Sequence, residues 1–160
     1  MKHIIGYQKG FTVIEIMVVV AILLSAFVGI FGLLVFSLQI SILVRETNQA
    51  NFLAQDTIEA VRNFRDGTVW DINGLGTLIV DTVYYPEKTI DNPPAWTMIQ
   101  GEETIDIFSR KVIFENVMRD ANDNIVGSGG ISDPDTKKVT ATVSWKGKKV
   151  EIITYLTNWK

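Results

Sequence analysis

The chain has 160 residues, 47% of them apolar and 21% charged, with no Cys, one His and a formal net charge of −3. That length suits one ordinary domain or a small domain with an appendage, and the missing Cys excludes disulfide frameworks, thiolate metal sites, a Cys nucleophile and lipoprotein acylation. The single His3 excludes His-based triads and His-rich metal sites, and the mild acidity (pI ≈ 5.1) argues against a general electrostatic grip on nucleic acid.

The apolar residues are concentrated at the front. Residues Ile16 to Val44 form 29 consecutive positions without a charge, and Ile16–Phe36 is interrupted only by Ser25, Gly29 and Gly32. A bilayer-spanning helix needs about 20 such residues. From Arg45 to Lys160 the chain carries 13 basic and 17 acidic residues, a net of −4, as an ordinary soluble domain does. A secretory signal peptide would also start with basic residues, here Lys2 and Lys9, but its apolar region is only about 7–15 residues long. Leu24-Ser25-Ala26 is a poor cleavage site for that class. A plain membrane anchor fits the length, yet neither reading explains Glu15, which stands directly before the uncharged run.

The junction reads Lys9-Gly10-Phe11-Thr12-Val13-Ile14-Glu15, followed by Ile16-Met17-Val18-Val19-Val20-Ala21-Ile22-Leu23. It resembles the N-terminal signature of the type IV pilin and type II secretion pseudopilin superfamily, a resemblance that covers about the first quarter of the chain. The resemblance implies a leader peptide, 1–10, with its basic charge on Lys2 and Lys9. A prepilin peptidase/methyltransferase would cut between Gly10 and Phe11 and methylate the new N-terminal Phe11. It further implies an assembly role for Glu15, whose carboxylate would meet the freed amine of a neighbouring subunit. Physical chemistry supports each part. Gly10 lets a protease hold an extended chain without side-chain obstruction. Lysines ahead of the span place the leader in the cytoplasm and the head outside. A carboxylate costs about 2.5–3.5 kcal/mol at the centre of a spanning helix, so Glu15 calls for a cation or the positive helix end nearby. A carboxylate that merely marks the membrane interface is the alternative use of Glu15.

The stem has no Pro, although many pilins have one at about this depth. Gly29 and Gly32 leave three roles open: local loosening, close helix packing, or ordinary membrane glycines. Past Val44 the helix is expected to continue. Ala50, Leu53, Ala54, Thr57, Ile58, Val61 and Phe64 recur at helical spacing, and Glu46, Asn48, Asp56, Glu59 and Arg62 take the outward places. From Phe11 to Arg65 such a helix is about 80 Å long, and Asp66-Gly67 ends it. The segment Leu53–Asn63 is similar to minor pilins and pseudopilins.

Strands are expected at Thr77–Tyr85 (ending before Pro86), Trp96–Ile99, Ile105–Val117 as one strand or a bulged one, Lys138–Trp145 and Val150–Leu156. Val139, Ala141, Val143 and Trp145 alternate with Thr140, Thr142 and Ser144, and Lys146-Gly147 turns the last two strands into a hairpin. Ser132-Asp133-Pro134-Asp135 reads as a turn entering that hairpin. The economical fold is α+β: a long N-terminal helix whose second half carries an antiparallel sheet, which is also what the resemblance implies. The domain organisation is then leader 1–10, membrane and assembly stem 11–44, and head 45–160, itself an amphipathic helix (45–66) and a β-rich part (67–160).

Chemistry in the head is sparse. Asp120, Asn122 and Asp123 concentrate oxygen ligands and suggest Ca²⁺, but the full loop spacing with a distal bidentate Glu is missing, and Asx-rich turns are common between strands. Gly127-Ser128-Gly129-Gly130 lacks the Lys-Ser/Thr of a phosphate loop. Lys146, Lys148 and Lys149 make a basic hairpin tip, better explained as a solvated turn than as a nucleic-acid contact. The four Trp residues are expected in packing roles. No nucleophile–base pair or cofactor signature exists, so neither an enzyme nor a cofactor is expected.

The sequence therefore points to a minor pilin or pseudopilin, built into a type IV pilus or type II secretion filament from a precursor in the bacterial cytoplasmic membrane. Its expected partners are the prepilin peptidase, other subunits, the inner-membrane assembly platform and, before assembly, membrane lipid; nucleic acid is not expected. The alternative is a permanently anchored single-span protein whose β-rich head binds a ligand at the surface. A DNA-binding competence pilin shares the first architecture but sits poorly with the acidic head.

Overall fold

A computed structural model describes residues 10–159. Lys2, Lys9 and the rest of the leader ahead of Gly10 lie outside the described residues. The chain divides into two compact units, Met1–Arg45 and Glu46–Lys160.

One helix, α1 (Val13–Gly67), contributes to both units and passes through Gly29 and Gly32 without interruption. In the first unit its apolar side chains are all exposed, and a window of this helix is long and apolar enough to cross a membrane by length and composition. In the second unit the same helix is amphipathic. Ala50, Ala54, Thr57, Ile58, Ala60, Val61 and Phe64 are buried, at the three- and four-residue spacing that keeps one helical face continuous. A short helix α2 (Trp70–Asn73) and a 3-10 turn (Leu75–Thr77) follow.

Seven strands then form one antiparallel sheet: β1 (Val83–Lys88), β2 (Trp96–Gln100), β3 (Glu103–Ile105), β4 (Phe108–Arg119), β5 (Ile125–Val126), β6 (Ile131–Trp145) and β7 (Lys148–Thr157). The order is β2-β1-β4-β6-β7, with β3 and β5 pairing with β4. Within the second unit, Ile58, Val61 and Phe64 of α1 pack with Val112, Phe114, Val139 and Ala141 of the sheet. A second cluster joins Ala50 and Ala54 to Phe108, Val143 and Trp145. Alternation along β6 buries Val139, Ala141, Val143 and Trp145, as the period-2 pattern requires. The architecture is α+β, a long N-terminal helix with an antiparallel sheet packed against it.

Several expectations need correction. The first strand is Val83–Lys88 and runs through Pro86. It pairs with β4 only through Val83 and Tyr84, so Pro86 removes no donor from that ladder. The segment from Ile105 to Val117, expected to contain one long strand or a bulged one, holds most of the long strand β4, which runs on to Arg119, and also the last residue of a short preceding strand, β3. The two strands are joined at Asp106-Ile107, where Asp106 takes a left-handed φ of 55°. Residues Ser132 to Asp135 belong to β6 and do not form a turn. The β4–β6 register jumps from Asn116↔Lys137 to Val117↔Asp133, so Pro134 falls in a bulge that needs no ladder donor. Helix α1 starts at Val13, two residues later than expected. Glu46 is buried and does not point outward. Trp70 and Trp145 are buried in packing roles, and the exposed Trp159 lies under Arg65, whose guanidinium is 5.9 Å from its ring centre.

Candidate functional site

The sequence-predicted processing residues lie together immediately before α1. Gly10, Phe11 and Thr12 adopt no regular secondary structure, and the helix begins at Val13. Thr12 ends the irregular stretch because its side chain stands in for a missing turn. Its carbonyl accepts from Glu15 N at 3.1 Å and Ile16 N at 3.3 Å, and its Oγ1 accepts from Glu15 N at 3.3 Å. Thr12 and Glu15 thus have the Thr-x-x-Glu spacing of a helix-start capping box. Two consequences follow from this local geometry. The Gly10–Phe11 peptide bond lies outside the helical hydrogen-bond ladder, and Phe11 is 80% exposed. Glu15 lies in the first turn, beside the positive end of the helix dipole. A Cβ placed at Gly10 would meet nothing within 4 Å, so the fold itself does not demand glycine there.

The family comparison bears on these residues. A family model described as the prokaryotic N-terminal methylation motif matches residues 5–31, which takes in Gly10, Phe11, Glu15 and the first part of the uncharged run. The chain carries the type IV pilin and pseudopilin signature. Comparison with curated proteins and with solved structures finds no match. The motif implies a prepilin peptidase substrate and pilin-type assembly, and it points to a structural subunit. With the single N-terminal apolar helix among the described residues, it is compatible with membrane anchoring.

In the head, the candidate calcium ligands Asp120 and Asp123 are each engaged by neighbouring groups of the chain. Asp120 accepts hydrogen bonds at Oδ1 from the backbone N–H groups of Asn122 (2.8 Å) and Asn124 (2.9 Å), and its carboxylate also accepts from the Asn124 amide. Those bonds from Asn124, with a lesser one from Asn122, hold Asp120 below the ordinary carboxylate range. Asp123 turns toward Arg119 at 3.6 Å, and Arg119 is bound more closely by Asp133 at 2.7 Å. Asp120, Asn122 and Asp123 therefore build an Asx turn between β4 and β5. Among the described residues no group of three His, Cys, Asp or Glu side chains is placed to hold a metal ion.

Two polar constellations escaped the sequence analysis. Arg110 of β4, buried on the inner face, donates from Nε to Glu103 (2.6 Å), from Nη1 to Asp56 of α1 (2.9 Å) and from Nη2 to the Pro86 carbonyl (3.4 Å). Glu46, at the start of the second unit, accepts from Lys146 Nζ at 2.5 Å. That hydrogen bond, opposed by burial, lowers the Glu46 pKa below its ordinary value of 4.5. The β6–β7 turn explains why Lys146 reaches it. Trp145↔Lys148 closes a two-residue loop, with Lys146 at φ 45° and Gly147 at φ 74°. Such a turn needs positive φ at both central positions, which glycine adopts freely and lysine does not. The bond to Glu46 offsets part of that strain. The partners are 100 residues apart, so no local pattern announces the pair.

Proposed function

We propose that this protein is a minor pilin or pseudopilin, a subunit of a type IV pilus or type II secretion filament. Residues 1–10 are a leader, 11–44 the membrane and assembly stem, and 45–160 the head. Prepilin peptidase cuts between Gly10 and Phe11, the new Phe11 amine is methylated, and Glu15 of one subunit pairs with that amine on a neighbour. The carrying observation is the junction: a peptide bond outside the helix, a Thr12 cap, Glu15 in the first turn, and then 29 uncharged residues.

Each part has a physical function. Cleavage on the cytoplasmic side of the apolar run leaves the stem attached to the head. It also creates a cation four residues before a carboxylate in the same apolar surroundings. A lone carboxylate there is costly, and pairing across subunits removes that cost only at one axial register. The pair therefore fixes stacking where greasy stems alone would slide. The product is a mechanical element, not an enzyme. Before assembly it is held in the bacterial cytoplasmic membrane with the leader inside and the head outside, as lysines ahead of the span dictate.

Co-expression with an active prepilin peptidase tests the reading. The expected product is shorter by the ten residues Met1–Gly10, while an inactive peptidase leaves the chain whole. An uncut chain in both strains would contradict the reading and leave a permanently anchored surface protein.

A further inference from the structure

The head separates its charge along β6. At one end stands the β6–β7 tip, where Lys146, Lys148 and Lys149 are all exposed. Lys146 is tied to Glu46, and Lys149 pairs with Glu151 at 2.9 Å while its side chain stays 65% exposed. At the other end, Asp120, Asp123, Asp133 and Asp135 surround Arg119, and Trp70 Nε1 donates to the Pro134 carbonyl at 3.1 Å. β6 has 15 residues, so the two ends are about 45 Å apart at strand rise. Screening in physiological salt acts over about 8 Å. The net −4 of the head therefore does not govern what the lysine tip attracts; its local positive charge does.

The tip has a fixed address. Its Lys146 holds Glu46, which follows the last uncharged residue, Val44, by two positions in the chain. Ile107, in the turn between β3 and β4, lines the same shallow surface as Lys148 and Lys149 and is 40% exposed. Exposed lysines with a half-exposed apolar side chain, pinned to the chain where an apolar run stops, match the chemistry of a lipid headgroup layer: anionic phosphate outside, hydrocarbon beneath.

We propose that the Lys146–Lys149 turn contacts the phosphates of anionic lipid headgroups on the leaflet where the uncharged run of α1 ends. Lys148 and Lys149 make the contact, and the Glu46–Lys146 pair holds the turn in place. The contact holds the turn at the headgroup layer until the subunit is drawn into a filament. It rests on the membrane-inserted state described under Proposed function.

The test uses the full chain in lipid nanodiscs made with and without phosphatidylglycerol, with the rate of amine acylation read lysine by lysine by mass spectrometry. A Lys near an anionic surface gains binding equivalent to about a fivefold partition, so Lys148 and Lys149 should react about fivefold more slowly in the anionic discs. High salt should abolish the difference. Lys138, which lies far along β6 from the turn and pairs with Tyr155, should keep its rate, and inorganic phosphate added to zwitterionic discs should give no protection. Equal rates in the two disc types, with the chain integrated in both, would overturn this proposal alone. Failure to integrate into either disc would overturn it together with the membrane-inserted state.

Discussion

Arg110 offers the sharpest test of how the head is held together. Its side chain is 8% exposed, whereas its partners Asp56 and Glu103 are 56% and 32% exposed. Two variants remove the same ion pairs in opposite ways. Arg110→Met removes the buried cation, and both carboxylates return to water, where solvent screens their mutual repulsion. A hydrophobic replacement of similar length then fills the space, at a cost of about 1 kcal/mol. The double variant Asp56→Ala/Glu103→Ala instead leaves a buried guanidinium with the Pro86 carbonyl as its remaining acceptor of the three. Stranding a buried charge costs about 3–5 kcal/mol, and the low end applies here because the exposed partners already compete with water. The difference of about 2 kcal/mol corresponds to about 8 °C in Tm for a head of this size. Thermal unfolding of the full chain in mild detergent, followed by fluorescence of the buried Trp70 and Trp145, gives the order directly. If Arg110→Met is as destabilised as the double variant or more so, the desolvated-cation argument fails.

Three further outcomes follow from the same geometry. Glu15→Ala should still be cut between Gly10 and Phe11 but enter filaments poorly, at about a tenth of the wild-type level by immunoblot of sheared filaments, a loss equivalent to about 1.4 kcal/mol; normal incorporation would remove the pairing mechanism. Glu46 and Asp133 both titrate below their ordinary values of 4.5 and 3.8, held chiefly by hydrogen bonds from Lys146 and Arg119. Depressed carboxylates stabilise the fold fully above those values and lose that contribution as pH falls through the lowered ones, so Tm should be flat at neutral pH and decline below about pH 4. Tm rising on acidification would reverse the sign. Calcium should leave Tm unchanged, because Asp120 is committed to the backbone of its own turn; a calcium-dependent rise of several degrees would reopen the site.

What was legible in the sequence was local. The Gly10–Glu15 junction, the uncharged run, the buried face of α1 from Ala50 to Phe64 and the alternation from Val139 to Trp145 each depend on neighbours within a few residues. Departures arose where distant partners decide. Pro86 stays in a strand because β1 has already parted from β4 at that point, which only the sheet order reveals. Pro134 stays in β6 because a register jump makes room for it. The Asp106-Ile107 turn carries no glycine to mark it, so the short strand β3 ahead of β4 was not legible. Glu46 and Arg110 look like surface charges until folding brings Lys146, Asp56 and Glu103 against them. Glu46 and Lys146, the two ends of the most distant of these pairs, were each visible separately, one as an outward helix position and the other as a solvated tip.

The central claim is a proteolytic event that converts Phe11 into the first residue of the mature chain. Intact-mass and N-terminal sequencing of the protein extracted from native membranes tests it most directly. The account predicts a chain that begins at Phe11 and carries an added methyl group on its amine. A population that begins at Met1, with residues 1–10 retained, would contradict it.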